Sequence, residues 1–86
     1  MRDLERILKA TANRRRLAIL KYLKENKEAS VGEITKQVKI SFKAASKHLG
    51  ILLAADIVDR EHKAFKVFYS LSSTMKKVVK GIISHL

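Results

Sequence analysis

The chain has 86 residues, 47% apolar and 31% charged, and Lys plus Arg outnumber Asp plus Glu by 19 to 8 for a formal charge of +11. That length makes one small domain, residues 1–86, whose modest core leaves no room for a large catalytic cavity. The absence of cysteine excludes disulfides, thiolate metal sites and cysteine nucleophiles, while the charge favours a polyanionic partner, nucleic acid before an anionic membrane surface.

The opening MRDLERILKATANRRR is charged from its second residue and has no run apolar enough for a signal peptide. Nothing later approaches the roughly 20 apolar residues of a membrane span, so the expected product is soluble and cytoplasmic. A first helix from Arg2 to about Ala10 places Leu4, Ile7 and Leu8 on one face. Asn13 is a natural N-cap for a second helix, RRRLAILKYLKEN, with a stripe of Leu17, Leu20 and Leu23, to which Ile19 can add, and lysines outside it. Asn26 to Ala29 reads as a polar break.

Ser30-Val31-Gly32-Glu33 has the S-x-x-E form of a capping box, in which serine and glutamate satisfy each other's backbone amides. The short helix it starts turns Val31, Ile34 and Val38 inward and ends near Lys39. Ser41 caps the next helix only about three residues later. That helix carries Phe42, Ala45, Leu49, Leu52 and Leu53 on one face and Lys43, Ser46, Lys47 and Gly50 on another. After Asp56 the period becomes alternating. IVDREH and FKVFYSL predict a β-hairpin with its tip near His62 to Ala64 and with Val67, Tyr69 and Leu71 on one face. Ser72 or Ser73 then caps a last helix whose stripe is Met75, Val78, Val79, Ile82, Ile83 and Leu86.

The resulting order, α-α-α-α-β-β-α, is mainly helical with a small β-hairpin. A short capped helix, a tight turn and a second helix with a lysine face make a helix-turn-helix, and the hairpin after it makes the unit winged. In such units the second helix enters the major groove. Ser41, Lys43, Ser46, Lys47, His48 and Gly50 are the expected DNA-binding residues of that helix. Serine and lysine can reach base edges or phosphates, and glycine adds no bulk. Lys36 and Lys39 continue the same run, in which four lysines from 36 to 47 are interrupted by no acid. A solvated lysine face is the competing account.

Arg14 and Arg15 are expected to support binding, because with Arg16 they put three cations at a helix N-terminus against its dipole. Either a phosphate or an acid elsewhere in the chain would account for the run. In the wing, Arg60, His62, Lys63 and Lys66 are candidate phosphate contacts, although Asp59 and Glu61 lie between them and a purely structural hairpin fits as well. Phe65 and Phe68 are better read as packing residues than as a stacking platform. Catalysis has no support: the three histidines are scattered, and no glycine-rich phosphate loop or HExxH motif occurs.

Three stretches, LKATANRRRLAILKYL, EASVGEITKQVKISFKAASKHLGILLAADIVDREHK and FKVFYSL, together resemble the ArsR-type winged-helix repressors over most of the chain. The resemblance rests on Arg16-Leu17-Ala18-Ile19-Leu20, on Ser46-Lys47-His48-Leu49-Gly50-Ile51-Leu52 and on Val67-Phe68-Tyr69-Ser70-Leu71. It implies a homodimeric, sequence-specific regulator of transcription, a repressor, that binds double-stranded DNA. It further implies a dimer interface from the first and last helices, here Leu4, Ile7, Leu8, Met75, Val78, Val79, Ile82, Ile83 and Leu86. Two departures follow. The family's cysteine metal motif would fall at Glu28 to Glu33 but has no cysteine, and its Asp/His ligands on the last helix reduce to His85, so no metal or other cofactor is expected and any effector is unknown. Asp56 stands where the family commonly has a helix-ending glycine. A nonspecific architectural DNA coater and a protein-interaction module on a winged-helix scaffold are the alternative functions.

Overall fold

In the computed structural model, which describes residues 1–86, four helices precede the wing: α1 (Arg2–Thr11), α2 (Arg14–Glu25), α3 (Val31–Val38) and α4 (Phe42–Ala54). The wing is β2 (Val58–Lys63) and β3 (Lys66–Leu71), α5 (Lys77–Ser84) closes the chain, and a three-residue strand, β1 (Glu28–Ser30), lies between α2 and α3. The expected winged helix-turn-helix is present, with one strand more than expected.

The caps form as their spacing predicts. Asn13 accepts hydrogen bonds from the amides of Arg15 and Arg16, at 3.0 and 3.1 Å. The capping box closes in both directions, with the Glu33 amide donating to Ser30 Oγ at 3.2 Å and the Ser30 amide donating to Glu33 Oε1 at 2.9 Å. Ser41 Oγ accepts from the Ala44 amide at 3.1 Å. Two helix ends use left-handed residues that are not glycine. Lys39 sits at φ 59° after α3, and Asp56 at φ 58° after α4. The amide beyond Asp56, that of Ile57, returns to the Leu52 carbonyl at 3.0 Å and closes the end of α4.

The segment expected as a polar break is instead an edge strand. Glu28, Ala29 and Ser30 pair with Ser70, Tyr69 and Phe68, so the sheet order is β1-β3-β2. Three residues without β-branched or aromatic side chains carry no strand pattern. The strand exists because β3 offers it a free edge of backbone donors and acceptors. Ala29 is buried against Tyr69, which fixes the register.

The core gathers Ile19, Leu20, Leu23, Ile34, Leu49, Leu52, Ile57 and Val58, all essentially inaccessible, with Ile7, Ala10, Val79 and Ile83 joining from the terminal helices. Three local expectations fail. Phe42, expected on the inward face of α4, is 65% exposed at the first helical position. Neither Ser72 nor Ser73 caps α5. That helix begins at Lys77 after Lys76, without a side-chain cap, and Ser72 Oγ instead accepts from the Thr74 amide at 3.2 Å. The hairpin tip lies at Ala64 and Phe65, with φ of 45° and 70°, one residue beyond the expected His62 to Ala64. Positive φ at both central residues matches the twist of a two-residue hairpin loop. It leaves Phe65 wholly exposed rather than packed.

Candidate nucleic-acid interface

The helix-turn-helix is α3, the three residues Lys39 to Ser41, and α4. Ala45, Leu49 and Leu52 bury one side of α4 completely, and Ile34 does the same for α3. The periodicity therefore forces the remaining faces outward. Lys36, Lys39, Lys43 and Lys47 are all exposed, as are Ser41, Ser46 and Gly50. None of these lysines takes part in any of the ion pairs of the structure. Four unpaired ammonium groups with small residues between them form a cationic surface that a helix-sized groove can approach. A Cβ built on Gly50 would meet nothing within 4 Å, so the fold itself does not require glycine there.

Arg14 and Arg15 are exposed at the N-terminus of α2 and carry no ion pair either. Arg16 departs from the acid-pairing account, since it takes part in no ion pair of the structure. Its Nε donates to the Ala10 carbonyl at 2.6 Å and its Nη2 to the Lys9 carbonyl at 3.2 Å. These are terminal carbonyls of α1, which have no partner inside their own helix. The charge that opposes the dipole of α2 thus complements the negative end of α1. No local pattern reveals this, because it depends on how two helices meet.

His48, expected on the DNA-facing side, is half-buried, and its Nδ1 lies 3.1 Å from Arg16 Nη1. Burial first, and then the neighbouring Arg16 guanidinium, hold its pKa below the usual imidazole value. One ring nitrogen of His48 is therefore committed to the protein.

The wing residues divide by register. Arg60 and His62 pair with Tyr69 and Val67, which places them on the face that packs on the helices, whereas Lys63 pairs with Lys66 on the other face. Arg60, His62 and Lys66 are exposed and free of ion pairs. Lys63 is occupied: its ammonium lies 2.9 Å from Glu28 and 3.3 Å from Glu61, and 5.7 Å from the centre of the Phe68 ring. The hydrogen bond to Glu28 is the main cause that raises its pKa.

The expected interface stripe on the terminal helices also divides. Ile7, Val79 and Ile83 are spent on the core of the single chain. Leu4 and Leu8 remain exposed beside a fully exposed Met1 and Val78 is exposed on α5, while Met75, Ile82 and Leu86 are half-buried. Lys76 reaches Asp3 at 2.9 Å and ties the approach to α5 back to α1. No three His, Asp or Glu side chains gather as a metal-ligating group, and no helix is long and apolar enough to cross a membrane.

A capped helix-turn-helix with an unpaired lysine face, followed at once by a wing, defines a winged-helix DNA-binding protein. The sequence model of the bacterial regulatory proteins of the ArsR family matches residues 13–60, from the cap of α2 into the wing. The transcriptional activator HlyU of Vibrio cholerae is 42% identical over 80 residues, covering 93% of this chain and 73% of HlyU. Its solved structure superposes with a TM-score of 0.84 over 98% of this chain and 87% of that one. NolR from Sinorhizobium fredii superposes equally well, TM-score 0.84, at 32% identity over 98% of this chain and 80% of NolR. The homodimeric winged helix-turn-helix domain of Mb0332 from Mycobacterium bovis gives a TM-score of 0.84 at 25% identity, over 98% of this chain and 74% of that fragment. The chain belongs to the ArsR family. It is a DNA-binding transcriptional regulator and not an enzyme.

Proposed function

We propose that the chain acts as a homodimer that reads a specific, near-palindromic site in double-stranded DNA, with α4 in the major groove. The observation that carries this reading is the set Lys36, Lys39, Lys43 and Lys47, exposed, unpaired and continuous across the helix-turn-helix. Lys43, Ser46 and Lys47 would face bases and phosphates. The backbone amides at the start of α4 and the Ser41 hydroxyl would hold one phosphate at the positive end of the helix dipole. Arg14 and Arg15 would supply phosphate contacts beside it. In the wing, Arg60 and Lys66 are the free cations, His62 is exposed and unpaired, and Lys63 contributes chiefly to the wing's own structure.

Leu4 and Leu8, with Met1 beside them, and Val78 on α5 are the residues offered to a second copy, and Mb0332 supports that reading as a homodimeric relative of the same fold. Two recognition helices about one turn of DNA apart would follow from the twofold axis. Such a dimer represses when its site overlaps a promoter. HlyU, a transcriptional activator, is similar enough that the direction of control rests on where the site lies.

Selection of bound fragments from a genomic library at two salt concentrations, with random DNA as competitor, tests the specificity. A specific reader enriches one short palindrome by roughly a thousandfold or more over random DNA. A steep salt dependence without any enriched sequence would identify an architectural coater instead. Sedimentation at micromolar concentration tests the dimer: Leu8→Glu is expected to shift it to monomer, and a monomeric wild type overturns it.

A further inference from the structure

Arg16 and His48 stand apart from the lysine face, yet they join three of the helices that matter for reading DNA. Arg16 belongs to the first turn of α2, two of its nitrogens hold the last carbonyls of α1, and a third lies 3.1 Å from His48 on α4. A guanidinium has five donors and no acceptor. His48 Nδ1 must therefore accept, which leaves the ring neutral with its proton on Nε2.

We propose that Arg16 and His48 form a positioning link that sets the recognition helix against the end of α1, and that a proton on His48 opens the link and weakens DNA binding in acid. A protonated Nδ1 has no lone pair for Arg16, and the imidazolium would face a cation at hydrogen-bonding distance. The charged groups acting on the ring are Arg16 and Arg15 from α2 and Lys47 from α4 itself, all cationic. No acid from α1, α3 or the wing is among them, and the α1 carbonyls nearby are already held by Arg16. Nothing in this setting would welcome the second proton. Because α1 carries part of the surface offered to a second copy, the link also bears on the spacing of the two recognition helices.

The inference rests on the assignment of α4 to the major groove, and the sign of its pH dependence separates it from the obvious alternative. A histidine that simply faced phosphate would bind DNA more tightly once protonated. His48→Gln supplies the control, because glutamine can accept from Arg16 at every pH and does not titrate. Wild type and His48→Gln are titrated with one selected duplex from pH 8 to pH 5 at fixed ionic strength, each relative to its own affinity at pH 8. Circular dichroism confirms the fold at both ends of the range. The wild type is expected to lose roughly threefold to tenfold more affinity than the variant. Parallel profiles, or a wild type that gains on the variant in acid, overturn the proposal. Nitrogen chemical shifts of the imidazoles in the free protein test the link without DNA. An Nε2–H tautomer for His48 is expected, and an Nδ1–H tautomer overturns it. If neither protein binds any duplex at any pH, the groove assignment fails and the operator effect with it, while the nitrogen shifts still decide whether the hydrogen bond exists.

Discussion

The Lys63 ammonium lies 2.9 Å from the Glu28 carboxylate and so fastens the wing to the strand that leads into the helix-turn-helix. The two residues are 35 apart in sequence, and the contact exists only because β1 and β2 flank β3 in one sheet. Both side chains are substantially exposed, so the pair restrains the wing more than it stabilises the fold. Glu28→Gln is therefore expected to leave the melting temperature essentially unchanged. It should also raise DNA affinity at low salt, since it frees Lys63 and removes a negative charge from the wing. Unchanged affinity in a binding titration would place the wing away from the phosphates.

Lys47→Ala and Lys43→Ala are expected to weaken DNA binding while leaving thermal unfolding as in the wild type, since both residues are exposed and unpaired. If each meets one phosphate, each substitution lowers the slope of log affinity against log salt by about one. Wild-type affinity and slope in Lys47→Ala would remove α4 from the groove.

Gly50 separates stability from function more sharply. A Cβ there meets nothing within 4 Å, and glycine in a helix interior costs about 1 kcal/mol relative to alanine. Gly50→Ala should therefore stabilise the free protein by roughly that amount in urea denaturation. A simultaneous loss of DNA affinity is the mark of a backbone that must approach DNA closely, and an unchanged affinity would show that the groove leaves room at this position.

Lys39 closes α3 in the left-handed conformation, φ 59° and ψ 51°, where a side chain other than glycine is strained by about 1 kcal/mol or somewhat more. Lys39→Gly should raise the midpoint of chemical denaturation. It should also lower DNA affinity, because it removes one cation from the exposed run.

The capping box supplies a pH signature. The amide of Ser30, donating to Glu33, holds the Glu33 carboxyl below its ordinary value of 4.5. A carboxylate with a depressed folded pKa contributes stability that is present above the unfolded value and is lost as pH falls through the folded one. Wild-type stability should therefore decline from about pH 4.5 downward relative to Glu33→Gln, whose amide does not titrate. Thermal melts of the two proteins between pH 7 and pH 3 provide the measurement, and parallel declines would show that the box does not depend on charge.

Most of the fold was legible in the sequence because its signals are local. Asn13, Ser30 and Ser41 each reach an amide two or three residues ahead, and that geometry needs nothing beyond the helix it starts. Asp56, in the place where the family commonly has glycine, takes the left-handed turn at φ 58°. The misses share one cause. Strand β1 has no pattern of its own and forms only because β3 presents an edge. Phe42 fits the apolar period of α4, but period alone cannot say that the first helical residue is left exposed. Serines at 72 and 73 have the cap chemistry, yet the chain runs on to Lys76 before turning helical.

Of the candidate site, the lysine face was determined by the sequence itself. Once Ala45, Leu49 and Leu52 must be buried, the 3.6-residue period leaves Lys43, Ser46, Lys47 and Gly50 nowhere but outside. Only the tertiary structure decided what the non-local partners do. It took Ile7, Val79 and Ile83 for the core of one chain while leaving Leu4, Leu8 and Val78 for another surface. It tied Lys63 to Glu28, and it turned Arg16 away from solvent onto the carbonyls of α1 and the ring of His48. Periodicity orients a side chain relative to its own helix axis. Which neighbour it meets depends on how the helices and strands pack, and that information is spread over the whole chain.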